Sequence, residues 1–178
     1  MVKAHLGVVA EALLIITGSM GSGKTAVLDE ASDILALRGI AHAGVDLDSL
    51  LIVHLPSGVR DDDVIFRNLR CVWENYAALG VMRLLLARAL ERRDELERIR
   101  DAVSAKKITV CRLNASIGKM QERVGARDSG QLQRRYVARV AELNALLDRA
   151  QLEDFSVLNE GRSITEVAQE MLTRSGWL

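Results

Sequence analysis

Leu13-Leu14-Ile15-Ile16-Thr17-Gly18-Ser19-Met20-Gly21-Ser22-Gly23-Lys24-Thr25 is the stretch that decides the fold of this chain. Its first half is a short unbroken apolar run, the mark of a strand buried on both faces. Its second half has the spacing G-x-x-x-x-G-K-[ST], which chance places in roughly one chain in a hundred of ordinary composition. From Lys24 to Arg38, the apolar positions Ala26, Val27, Leu28, Ile34, Leu35 and Leu37 predict a helix, and Gly39 stands where a helix often ends.

Strand, glycine-rich turn and helix together make an anion cradle. Gly18, Gly21 and Gly23 let the backbone approach phosphate closely, so Gly18, Ser19, Met20, Gly21, Ser22 and Gly23 offer successive N–H groups. The start of the helix adds its own unpaired N–H groups and the positive end of its dipole. Lys24 would reach the β- and γ-oxygens of ATP, and Thr25 would place its hydroxyl on Mg²⁺.

Further along the chain, apolar runs alternate with helical patterns. Ile40 to Asp46, Val81 to Leu86, Ile108 to Leu113 and Phe155 to Leu158 read as four more strands. Ile65, Leu69, Val72, Trp73, Tyr76 and Leu79 recur at helical spacing, as do Leu132, Tyr136, Val140, Leu143 and Leu147. Arg92 to Val103 is charged and helical, and Ser163-Ile164-Thr165-Glu166 is a capping-box pattern opening a last helix. Such alternation, with the phosphate loop after the first strand, predicts an α/β architecture: a three-layer P-loop NTPase fold with a five-stranded parallel sheet and helices on both faces, and the basic, glycine-punctuated stretch from Asn114 to Gly130 is where a small basic lid is expected. Residues 1–178 are expected to form one domain, with the lid at about 115–130.

Composition narrows the function. Apolar residues are 49 %, aromatic residues only 3 %, and the formal net charge is zero. A neutral chain has no general field to draw it to nucleic acid or an anionic membrane, so neither is expected as a partner. The apolar start, Leu6 to Ile16, is interrupted by Gly7 and Glu11 and is too short to span a membrane. Cys71 and Cys111 read as buried, reduced thiols of a cytoplasmic protein. His5, His42 and His54 have no metal-ligand spacing.

A phosphate loop alone does no chemistry; it needs acids. None stands at the end of the third apolar run, Leu86-Ala87-Arg88-Ala89-Leu90, and Asp94 reads as solvated surface. Asp46 and Asp48 follow the second strand, at the sheet edge where ligands bind in such folds, and alternation predicts that both face one side. One would hold a Mg²⁺-bound water and the other would take or orient an acceptor hydroxyl proton. The working assignment gives the metal to Asp46 with Thr25 and the acceptor to Asp48; the spacing allows the reverse.

With the loop and Asp46-Leu47-Asp48 in place, the chain resembles the small P-loop kinases of the nucleoside-monophosphate-kinase-like superfamily, among them shikimate, gluconate and adenylylsulfate kinases and chloramphenicol phosphotransferase. It is similar also to bacterial ATP-binding proteins of that group with no assigned reaction. The resemblance implies ATP, Mg²⁺ and transfer of the γ-phosphate to a hydroxyl of a small-molecule acceptor. Lys119-Met120-Gln121-Glu122-Arg123-Val124-Gly125-Ala126-Arg127 looks like the lid of these kinases, which implies that Arg123 and Arg127 close over the phosphates, with Gly118, Gly125 and Gly130 as flexible points. Asn159-Glu160-Gly161-Arg162-Ser163 looks like the turn that borders the adenine, which implies a cofactor contact at Asn159. The chain departs from shikimate kinase in having Ala87-Arg88 where that enzyme has a glycine cluster, and it carries no mark of a nucleoside monophosphate site.

Arginines complete the expected site. Arg67 and Arg70, on the helix beginning near Val64, are candidates to hold an anionic acceptor, and Arg88 at a strand end points to the same crevice. Arg112 is a candidate to stack on the adenine. Arg134, Arg135 and Arg139 read as a solvated basic face, and Trp73 and Tyr76 as a core stripe. A homodimer is left open. The competing expectation is an ATP-binding switch or regulatory module with little catalysis, favoured by the missing acid after the third strand.

Overall fold

The computed structural model of the 178-residue chain describes residues 9–51, 53, 56, 63–127 and 132–178. His5, His54, Gly130 and most of the expected loop between Pro56 and Asp63 lie outside the described residues.

Five strands form one parallel sheet in the order β2-β3-β1-β4-β5. They are β1 (Ala12–Thr17), β2 (Ala43–Asp46), β3 (Arg83–Ala87), β4 (Lys107–Asn114) and β5 (Phe155–Leu158). Among the described residues six α-helices accompany them: α1 (Lys24–Leu37), α2 (Val64–Ala77), α3 (Arg93–Val103), α4 (Ile117–Arg127), α5 (Gln133–Ala150) and α6 (Ile164–Ser175). The expected α/β fold with helices on both faces is the observed one.

β1 runs through the centre, and its alternation serves two cores. Leu13 and Ile15 point to the face covered by α2 and α3, where Ile65, Leu69, Trp73, Ile99 and Val103 are buried. Leu14 and Ile16 point to the face covered by α1 and α6, with Val27, Leu35, Val167, Met171 and Leu172. Each such side chain, fully buried, contributes about 1.5–3 kcal/mol of transfer free energy. This is why the run admits no polar residue before Thr17.

Several boundaries differ from the sequence reading. β2 begins at Ala43 because Gly39 and Ile40 belong to the turn closing α1: the Ile40 N–H donates to the Leu35 carbonyl at 3.0 Å. α2 ends at Ala77, so Leu79 is exposed and not part of the buried stripe, and Tyr76 is 39 % exposed. Cys71 is exposed as well; Cys111 is buried, and burial pushes its thiol pKa up to about 12. The capping box of α6 is present, with the Glu166 N–H donating to Ser163 Oγ at 3.3 Å and the Ser163 N–H to Glu166 Oε2 at 2.9 Å. No described helix is long and apolar enough to cross a membrane.

Sheet order and register position the site. β1 has β3 on one side and β4 on the other, so the chain departs in opposite directions from its neighbours at the C-terminal edge, the place where such sheets bind ligands. Ile16 and Asp46 both register with Ala87. The phosphate loop after β1, the acids after β2 and Arg88 after β3 therefore emerge side by side.

Candidate active site

The loop between Thr17 and Lys24 folds as a tight nest. Gly18, Gly21 and Gly23 take φ of 149°, 76° and 94°, values that side-chain-bearing residues rarely adopt. Space is as restrictive as conformation. A Cβ on Gly18 would stand 2.7 Å from the Leu113 carbonyl, and one on Gly21 would meet the Met120 backbone of α4. The loop is braced from three sides: Ser19 Oγ donates to the Val140 carbonyl of α5 at 2.8 Å, Asn159 Nδ2 to the Ser22 carbonyl at 2.7 Å, and Arg123 Nη1 to the Gly21 carbonyl at 3.2 Å.

Lys24 Nζ donates to the carbonyls of Gly18 and Ser19 at 3.1 and 3.2 Å. Its pKa lies below 10.5: burial lowers it, Asp48 and Asp46 pull it back, and Arg127 and Arg88 add to the lowering. A cation held mainly by carbonyl dipoles is an electrostatic vacancy for an anion.

Thr25 Oγ1 donates to Asp46 Oδ2 at 2.6 Å. A hydroxyl and a carboxylate in contact beside a phosphate loop suit a cation that draws its other ligands from phosphate and water, as Mg²⁺ does. Among the described residues no cluster of three or more His, Cys, Asp or Glu could hold a metal by itself.

Asp46 and Asp48 line one cleft of about 450 Å³ with Gly21, Lys24, Thr25, Arg123 and Arg127. Strand alternation is not what brings the two acids together. β2 ends at Asp46 and residues Leu47–Leu51 turn as a 3₁₀ segment, in which the Asp48 N–H donates to Asp46 Oδ1 at 3.1 Å. Asp46 thus faces Thr25 while the Asp48 carboxylate, more than half exposed, meets Arg88 Nη1.

Arg88 joins two acids. Besides Asp48 it donates through Nη2 to Glu95 Oε1 at 3.0 Å. Burial lowers the Arg88 pKa, but the hydrogen bond to Glu95 and the charge of Asp48 outweigh it, so the pKa is raised. Glu95, buried in the first turn of α3, also accepts the Glu91 N–H at 3.0 Å. No acid follows β3 directly, but α3 folds Glu95 back to that strand end. Its signal is position: an acid in the first turn of a helix that starts six residues after the end of the strand. Asp94, its neighbour, is at the surface with Arg92.

α4 is continuous from Ile117 to Arg127, so Gly118 and Gly125 sit inside a helix and are not breaks in the chain. Arg123 donates to the Asn159 carbonyl at 2.9 Å as well as to Gly21, tying α4 to both the loop and the end of β5.

Four residues expected to contact nucleotide or acceptor are not brought to the cleft. Arg112 is 4 % exposed, and its guanidinium faces α5, donating to Asp148 Oδ1 at 2.6 Å, Asn144 Oδ1 at 3.1 Å and Glu153 Oε1 at 3.3 Å. A guanidinium held by two acids inside the fold is a tether between β4 and α5, not a platform for adenine. Arg67 and Arg70 line a separate groove between α2 and α3 with Cys71 and Asp101, because they lie on the face of α2 away from the phosphate loop. Asn159 is buried against the loop through Ser22, so its side chain serves the cradle and not the nucleotide base. Arg139, read as solvated, reaches Glu91 at 3.3 Å and Glu142 at 2.5 Å.

No protein-family model matches the chain, and no curated protein matches it in sequence. Solved structures do. The tunicamycin resistance protein of Deinococcus radiodurans superposes with a TM-score of 0.65 at 14 % identity, over 93 % of this chain and 96 % of its own. The gluconokinase of Sinorhizobium meliloti gives 0.61 at 16 % identity, over 94 % and 93 %. The APS kinase CysC of Mycobacterium tuberculosis gives 0.61 at 21 % identity, over 92 % and 96 %. The chain has the fold of the P-loop kinases.

Proposed function

We propose that this protein is an ATP-dependent phosphotransferase that moves the γ-phosphate of ATP to a hydroxyl of a small-molecule acceptor. The observation that carries the proposal is the convergence of the phosphate loop, the Thr25–Asp46 pair and Asp48 on one cleft.

Phosphoryl transfer asks for positioning and for charge around the moving group, and little else. The backbone N–H groups of Gly18 to Thr25 take the β-phosphate, and Lys24 leaves its carbonyl partners for the β- and γ-oxygens. Arg123 and Arg127 line the same cleft and supply positive charge to the developing ADP. Thr25 and Asp46 would hold Mg²⁺, which would supply positive charge to the phosphate oxygens. Asp48 receives or orients the acceptor proton. The kinase fold shared with the solved structures supports this reading. The residues and the cofactor rest on the geometry of this chain alone.

The Arg88–Asp48 contact favours a second reading, an ATP-binding module with little catalysis, because the acid nearest the acceptor side is already paired. Asp48→Ala separates the two. Under the kinase reading, ATP binding persists and ADP release stimulated by pooled sugar acids, nucleosides, nucleotides and hydroxylated antibiotics vanishes. Under the second, no pool stimulates ADP release in the wild type either, and Asp48→Ala changes nothing.

A further inference from the structure

Arg88 stands between two clefts. One holds the phosphate loop and Asp48. The other, about 410 Å³, is walled by the apolar Leu51, Ile65 and Phe66 and by the guanidinium groups of Arg88, Arg92 and Arg98. That volume lies in the range of small-molecule sites.

The acids that neutralise these arginines differ in how firmly they are held. Glu95 has a side chain only 10 % exposed and is fixed by two hydrogen bonds, so it stays with Arg88. Asp48, Asp94 and Asp63 pair with Arg88, Arg92 and Arg98, and their side chains are 57 %, 52 % and 60 % exposed. A carboxylate more than half exposed regains water when it leaves, so these acids can be exchanged for another anion even at Arg88, whose own side chain is 23 % exposed and needs a charged partner. The remaining acid on this wall, Glu91, is engaged by Arg139. The second cleft therefore presents three cations whose outer partners are replaceable.

We propose that the second cleft binds the acceptor through an anionic group, a carboxylate, sulfate or phosphate, which takes the place of Asp48 on Arg88 and so frees Asp48 to act as the base. This rests on the kinase reading above. A neutral hydroxyl does not suffice, since it would exchange an ion pair with a carboxylate for a hydrogen bond to an uncharged acceptor, which leaves the Arg88 charge uncompensated. An anion makes the exchange even. Once released, the Asp48 carboxylate takes the acceptor's hydroxyl proton. The oxygen's electron pair forms the new bond to the γ-phosphorus, and the bond from that phosphorus to the β–γ bridging oxygen breaks with its pair left on ADP. Without an acceptor the carboxylate stays on Arg88, which restrains transfer to water.

The test is calorimetric titration of sulfate into protein loaded with Mg·AMPPNP, at constant ionic strength. AMPPNP fills the phosphate loop, so sulfate reports on the second cleft. Removing the competing carboxylate by Asp48→Asn is expected to tighten sulfate binding at least fivefold, and Arg88→Met to weaken it at least tenfold. Asp48→Asn that binds sulfate no more tightly than the wild type, or not at all, overturns the proposal, as does Arg88→Met binding that equals the wild type. Because Asp48→Asn alters only an exposed side chain, it decides the matter even if Arg88→Met does not fold. The readout involves no turnover, so failure of every acceptor pool would sink the kinase reading while leaving this titration to report on Arg88 separately.

Discussion

Gly21→Ala tests whether the phosphate loop is built by the physical constraints described. The Gly21 φ is 76°, and an added Cβ would lie 2.9 Å from the Met120 carbonyl carbon and closer still to its oxygen. Neither can yield cheaply, because Met120 is buried backbone in α4. Left-handed geometry costs a side-chain-bearing residue about 1–2 kcal/mol. Overpacking against a fixed neighbour adds about 1–3 kcal/mol. The sum is about 3 kcal/mol, which at this chain length lowers Tm by about 6–12 °C. Gly39→Ala is the control: its φ is 68°, but nothing lies within 4 Å of its Cβ. It should lose only the conformational part, about 1.5 kcal/mol and about 3–6 °C. Pushing Gly21 away also breaks the alignment of its carbonyl with Arg123, so ADP affinity should fall at least tenfold, about 1.4 kcal/mol. In Gly39→Ala it should not change. Urea or thermal unfolding and ADP calorimetry on both variants suffice. Equal destabilisation of the two, with wild-type ADP affinity in Gly21→Ala, would refute the reasoning.

Other outcomes follow from the same geometry. Nucleotide affinity should fall as pH rises through the lowered Lys24 pKa, beginning below the 10.5 of an ordinary lysine; over the same window the unfolded chain binds more protons than the folded one, so ligand-free stability should gain with pH. Paired ADP calorimetry and urea melts between pH 8 and 10.5 check both signs. Arg112→Met should cost about 1–3 kcal/mol of stability by orphaning Asp148 and Glu153, less than a fully buried pair because Asp148 is largely exposed, and leave ADP affinity unchanged. A tenfold loss of ADP affinity there would restore the adenine role. Maleimide should modify Cys71 in the native protein and spare Cys111, which is buried with its thiol pKa pushed up to about 12; mass spectrometry of the labelled peptides decides.

Much of the fold was legible because its signals are local. A short unbroken apolar run before a glycine-rich turn allows few other structures, and all five strands are legible to within a few residues. The phosphate loop was legible in the same way, since three glycines and a lysine at fixed spacing state a backbone requirement. The acceptor side was not. Arg67 and Arg70 lie on the same helix as Ile65 and Leu69, and which face of α2 meets the crevice is set by how that helix packs on β3, a tertiary fact. Arg112 resembles an available cation in sequence; α5 turns Asp148 and Asn144 toward it from more than thirty residues away. Glu95 escaped notice because only the turn after Leu90, pinned by its N–H to Thr17 Oγ1 at 3.0 Å, brings α3 back over the end of β3.

The most direct test of phosphoryl transfer is ³¹P NMR of the wild type with Mg·ATP and the acceptor pools. A phosphomonoester resonance that grows as the γ-phosphate signal of ATP declines, and that is absent with Asp48→Ala, is the predicted result. ATP bound but intact in every pool, or converted only to ADP and inorganic phosphate, would contradict it.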